Sequence, residues 1–235
     1  MECLARTFCA LKKALDALDI YYQNLPQIVP WQMKFPYITS FKVSDGTEIQ
    51  FKYLKQLYET KLLFLVEQCN DNNADYTFFP QRLLVKFVRQ YGIEAHQTCA
   101  DLGIAPKLFG YENVLGGWKI IVMEFLKDGY ELLTLHETTE VKNAVKEAVV
   151  KMHNAGFVHG DLRCENILYR KKQRIDDNND QVDIAIVDFD WAGKVEQKTT
   201  IYPSFLNPEI MRHDDACAGH QILQEHDNYM VNLLF

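Results

Sequence analysis

The stretch FVHGDLRCENIL, Phe157 to Leu168, constrains the fold of this chain more than any other. It sets a histidine, an aspartate, an arginine, a glutamate and an asparagine between apolar ends. Val158, Ile167 and Leu168 have no use in a free surface loop, so they read as anchors of buried strand and helix ends. The segment VDIAIVDFDW follows and reads as a buried strand ending in two acids, Asp188 and Asp190. Charge fixed between buried anchors is the mark of an active-site loop.

The rest of the chain can support such a loop. Its 235 residues allow one large domain or two small lobes, and 48% hydrophobic against 24% charged residues is ordinary globular composition. A net charge of −7 argues against a general nucleic-acid binder, which needs clustered Lys and Arg. The longest apolar runs, such as LLFLV, are strand-sized, so no membrane span is expected. The N-terminus lacks the basic start and apolar block of a secretory signal, and the six cysteines form no C-x-x-C. Free thiols in an intracellular compartment, cytoplasmic or nuclear, are therefore expected. A nucleophilic role for Cys164 has no base to support it.

Leu4, Phe8, Leu11, Leu15 and Leu18 recur at helical spacing, which predicts a helix over 3–24 that packs on the rest of the chain. A Pro- and aromatic-rich connector carries the chain to residue 50. FKYLKQLY, KLLFLVEQC and RLLVKFV then read as strands separated by polar turns such as NDNNAD. EAHQTCADLG reads as a short helix stopping at Gly103, and APKLFGY and WKIIVMEFL as two more strands. Residues 51–126 thus form a five-stranded antiparallel lobe with one helix. In 127–235, TTEVKNAVKEAVVKMHNAG is a long amphipathic helix with Thr138 or Thr139 at its start and Gly156 at its end. YRKKQRIDDNNDQ is a polar excursion, and the tail is loop and then helix.

HGDLRCENIL followed by IVDFDWAG resembles the catalytic and metal-binding loops of the protein-kinase-like superfamily, whose patterns are H-R-D-L-x-x-x-N and D-F-G. Over residues 51–235 the order of elements also fits, and the compact form resembles small fungal kinase-like proteins. The resemblance implies an α+β, bilobal fold with a shortened, mainly helical second lobe. It implies ATP and Mg2+ as cofactors and a protein or small-molecule hydroxyl as acceptor. Asp161 matches the carboxylate that orients that hydroxyl and takes its proton. Asn166 and Asp188 match the Mg2+ ligands, oxygen donors suited to a hard cation. Arg163 stands where protein kinases keep a lysine facing the transferred phosphate. Lys86 in LLVKFV matches the lysine of V-A-I-K and needs a carboxylate partner inside an apolar strand. Glu94 is the best candidate, with Glu67 or Glu59 as substitutes. Met123 matches the gatekeeper, and Glu124, Phe125 and Leu126 the hinge whose backbone would hold adenine. His159 matches a structural histidine of the loop.

Four departures bear on function. The hairpin before Lys86, QLYETKLLFLV, has no glycine. Gly160 replaces the arginine that reads an activation-loop phosphate, although Thr199, Thr200 and Tyr202 follow in the loop. Asp190 replaces the glycine of D-F-G and should stiffen it. H-G-D and D-F-D also resemble aminoglycoside and choline phosphotransferases, while Arg163 and NPE, 207–209, resemble protein kinases; Asp227 resembles the helix aspartate that braces the catalytic loop. Last, nothing matches the later helices of the family, so the docking surface for peptide substrates is expected to be absent or supplied by a partner protein that completes the second lobe. The readings left open are an active protein serine/threonine kinase, a small-molecule kinase, and a pseudokinase that binds without turnover.

Overall fold

The computed structural model describes residues 2–24, 38–43, 46–69, 80–126, 129–172 and 181–235. Most of the expected connector, the NDNNAD turn and the middle of the polar excursion lie outside the described residues. The chain divides into two compact units, Met1–Ile38 and Thr39–Phe235. Helix α1 (Glu2–Gln23) matches the helical spacing.

The second unit opens with a six-stranded antiparallel sheet in the order β1-β2-β3-β4-β6-β5. Its strands are β1 (Ser40–Lys42), β2 (Glu48–Tyr58), β3 (Lys61–Gln68), β4 (Arg82–Val88), β5 (Leu108–Val114) and β6 (Trp118–Glu124). Five were expected; β1, drawn from the connector, adds a sixth and pairs with the start of β2. The central strands are long apolar runs because both faces are covered: Ile120, Ile121, Val122 and Met123 of β6 are buried in succession. β2 instead buries Ile49 and Phe51 on alternate positions. Rings of Phe41, Phe51, Tyr53, Phe64 and Phe87 form a chain across the sheet, with successive centroids 6.2, 5.4, 5.2 and 6.0 Å apart. Helix α2 (Ile93–Asp101) follows β4.

Past the hinge, α3 (Thr139–Asn154) buries Val141, Val145, Ala148, Val149 and Met152, the stripe expected from the sequence. Thr138 occupies its N-cap position without a side-chain cap, and Gly156 ends it at φ +85°. Strand β7 (Glu131–Leu132), β9 (Ile167–Lys172) and β10 (Gln181–Ile186) form one small sheet; β8 (Phe157–Val158) and β11 (Gly193–Lys194) form another. β9 and β10 pair antiparallel on either side of the polar excursion. The last helix, α4 (Gln224–Leu233), packs Met230, Val231 and Leu234 into a core shared with α2, α3, β6, β9 and β10.

α4 also carries Asp227, which is fully buried. Its Oδ2 accepts the backbone N–H of His159 at 2.7 Å, and Oδ1 that of Gly160 at 2.8 Å. His153 Nε2 lies 3.2 Å from Oδ2. Removing a partner from such a site strands buried donors, which is the expensive case. Asp227→Ala is expected to cost about 3 kcal/mol in urea unfolding, whereas the exposed Asp215→Ala should cost less than about 0.5 kcal/mol.

Candidate active site

The loop between β8 and β9 turns because Gly160 adopts φ +83°. That positive φ favours glycine, and a Cβ there would lie 2.8 Å from Ile222 Cδ1, which would have to shift. Another arginine serves the loop. Arg212, from beyond NPE, donates through Nη2 to Asp161 Oδ1 at 2.7 Å and through Nη1 to the Gly160 carbonyl at 3.2 Å. Its guanidinium lies 5.0 Å from the centre of the Trp191 ring, and its side chain is only 7% exposed. Arg163 Nε lies 3.2 Å from Asp161 as well. Asn166 Nδ2 donates to the Asp161 carbonyl at 2.8 Å and to its Oδ2 at 3.1 Å. That fixes the amide, and leaves Asn166 Oδ1 buried with no hydrogen-bond partner among the described residues. A stranded buried acceptor beside the Asp161 carboxylate is the kind of donor a hard cation uses.

Lys86 of β4 is buried as expected, but not with Glu94. It donates to Asp188 Oδ1 and to Asp190 Oδ1. Glu94 is 68% exposed and pairs with Lys194 at 2.6 Å, while Glu67 pairs with Lys52 at 2.7 Å. The expected Lys86–Glu94 pair is thus replaced, because Asp190 of D-F-D supplies a carboxylate where the family has glycine. Lys61 Nζ adds a second ammonium, 2.7 Å from Asp188 Oδ2. Burial works against a charged Asp188, but Lys86 and Lys61 outweigh it and hold its pKa well below the usual carboxylate range. Asp190 moves the other way: burial and the neighbouring Asp188 charge raise it despite Lys86. Asp188 itself sits at φ 70°, a strained conformation for a non-glycine residue.

The expected hinge is less tightly joined to this cluster. Met123 is buried in β6, and Glu124 exchanges hydrogen bonds with Lys107. Glu124, Phe125 and Leu126 line a cavity of about 310 Å³ that also touches Tyr130 and Arg170 and contains none of Lys86, Asp161 or Asp188. Burial raises the Cys164 thiol, which fits its bland reading. Thr200 and Tyr202 are buried, Thr200 donating to the Lys194 carbonyl at 2.9 Å and Tyr202 meeting His226 at 3.2 Å.

Comparison with known proteins agrees with this geometry. Residues 114–183 match the family model of the RIO domain, a span holding Asp161, Arg163 and Asn166. Over 89% of its length the chain is similar to the structure of vaccinia related kinase 3, with a TM-score of 0.51 at 14% identity, covering 68% of that chain. The fold is protein-kinase-like. Among curated relatives, MAP kinase-activated protein kinase 2 of Oryctolagus cuniculus is 27% identical over 128 residues, which is 46% of this chain and 33% of that protein. Serine/threonine-protein kinase 1 of African swine fever virus is 25% identical over 139 residues, 53% of this chain and 43% of that one. The chain therefore spans less than half the length of these relatives. Both are mammalian or viral and lend no support to the fungal likeness. No described helix is long and apolar enough to cross a membrane.

Within the kinase-like core, Phe189 of D-F-D is fully buried and stacked on His96 of α2, with centroids 4.7 Å apart and planes 7° from parallel. Both ring nitrogens of His96 are engaged: Nε2–H donates to the Pro106 carbonyl at 2.8 Å, and Nδ1 accepts from Tyr91 Oη at 2.9 Å. Burial lowers its pKa from 6.5 to about 4. The unfolded chain takes up this proton below its own pKa and the fold does not. Stability from His96 is therefore complete above pH 6.5 and falls away toward pH 4, by about 3 kcal/mol in all. Urea midpoints of wild type and His96→Gln should converge across that window as the pH drops.

Proposed function

We propose that this chain is an ATP- and Mg2+-dependent phosphotransferase, and that its acceptor is a serine or threonine hydroxyl of a protein. The observation that carries the reading is the grouping around Asn166. One loop orients Asp161 through Asn166 Nδ2 and leaves Asn166 Oδ1 buried and without a partner. The adjoining turn presents Asp188, next to a buried lysine from the small lobe.

Phosphoryl transfer depends mainly on positioning and charge neutralisation. Asp161 would align the acceptor hydroxyl and take its proton as the oxygen bonds the γ-phosphorus and ADP departs with the electrons of the broken bond. Lys86 would move from the carboxylates to the non-transferred phosphates, and Arg163 would face the transferred one. Asp188 and Asn166 Oδ1 would hold Mg2+, which when bound neutralises phosphate charge. Support for a protein acceptor comes from the names of the relatives and from Arg163. The pseudokinase reading also has an observation in its favour, since every oxygen of Asp161 and Asp188 is engaged by a side chain of the protein itself.

Phosphate transfer from labelled ATP, to the chain itself or to a basic model protein, separates the two. Asp161→Asn should lower the rate by about 10³-fold while nucleotide binding persists. Asp188→Asn should abolish the Mg2+-dependent part of nucleotide binding in calorimetry. Mg-ATP binding without any transfer would leave a binding module.

A further inference from the structure

The hairpin joining β2 and β3 occupies the place of the family's glycine-rich turn. Here Tyr58 pairs directly with Lys61 around the two residues Glu59 and Thr60. Gln56 straps the end of the hairpin: its Nε2 donates to the Tyr58 carbonyl at 2.7 Å and to the Lys61 carbonyl at 2.9 Å. A turn this short, with both carbonyls tied and no glycine, has little freedom to lay successive backbone amides against a phosphate.

It offers a side chain instead. Lys61 is the first residue of β3, and its ammonium crosses to Asp188 Oδ2 at 2.7 Å. Lys86, from the neighbouring strand β4, holds the other oxygen of the same carboxylate. Two cations from adjacent strands thus converge on one carboxylate at the site read above as the metal-binding turn. They differ in mobility: the Lys86 side chain is 9% exposed and that of Lys61 45%. A half-exposed ammonium on a flexible stem changes partners at low cost.

We propose that Lys61 is a polyphosphate ligand, moving from Asp188 to the β- or γ-phosphate of the bound nucleotide and replacing the missing glycine-turn amides. The inference rests on the nucleotide site proposed above. It makes the affinity of this site depend on a side-chain charge outside the family's motifs, and it predicts selectivity for tri- and diphosphates over the bare nucleoside.

The test is calorimetric titration of the full chain with Mg-ATP and with adenosine, for wild type, Lys61→Ala and Lys61→Arg. Lys61→Ala should weaken Mg-ATP about tenfold, the usual loss for one charge-assisted contact, and leave adenosine unchanged. Lys61→Arg keeps the charge and should recover most of the affinity. Equal Mg-ATP affinity in wild type and Lys61→Ala overturns the inference alone. A parallel loss for Mg-ATP and adenosine also overturns it, because it assigns Lys61 a structural role. If wild type binds no Mg-ATP, the nucleotide-site reading falls and this inference falls with it.

Discussion

The loop between β8 and β9 takes its shape from one buried carboxylate, that of Asp227. Its two oxygens accept the consecutive amides of His159 and Gly160, and no water reaches it. Consecutive amides aimed at one acceptor require a sharp turn, and Gly160 provides it at φ +83°. That turn directs Asp161 away from the core and towards Arg212, Arg163 and Asn166. His159 then reaches the Val187 carbonyl at 3.0 Å, which ties the loop to the residue before Asp188. A single helix residue far along the chain therefore sets the relation between two motifs that the sequence shows only as separate words.

The second organising feature is charge held in reserve. Lys86, Asp188 and Asp190 satisfy one another, as buried ionic groups must, and the half-exposed Lys61 joins them at Asp188. Asp161 and Arg212 do the same a short way along the loop. In a site arranged in this way the ionic groups are already paired, so a molecule entering it would have to compete with these internal partners.

Much of this was legible in the sequence, and the exceptions follow a rule. The five long strands, α2, α3 and α4 follow from local periodicity. Asp161, Asn166 and Asp188 stand out because charge between apolar anchors has few uses. The rest depends on contacts between distant residues. β1 is three residues long and too short for a periodic signal. Lys86 needed a carboxylate, which the sequence stated, but Glu94, Glu67 and Asp190 cannot be ranked without the sheet register. Arg212 follows NPE with nothing to mark it as the partner of Asp161. Lys61 at the end of a hairpin reads as an ordinary surface lysine until the fold brings Asp188, 127 residues away, to its ammonium. His96 looks like any polar residue of a short helix until its stacking on Phe189 is seen.

The start of α2 is joined to the D-F-D turn at very close range. Gly92 donates its N–H to the Phe189 carbonyl at 2.8 Å, and a Cβ at Gly92 would lie 2.3 Å from the Ala192 oxygen. Phe189 in turn stacks on His96, one helical turn further along. Helix and turn are thereby clasped at both backbone and side chain and behave as one lever. Any rotation that carried Glu94 inward to Lys86 would drag Asp188 and Asp190 with it. In this protein the start of α2 and the D-F-D turn form one packed unit, and Lys61 and Lys86 are its ion-pair contacts with the sheet.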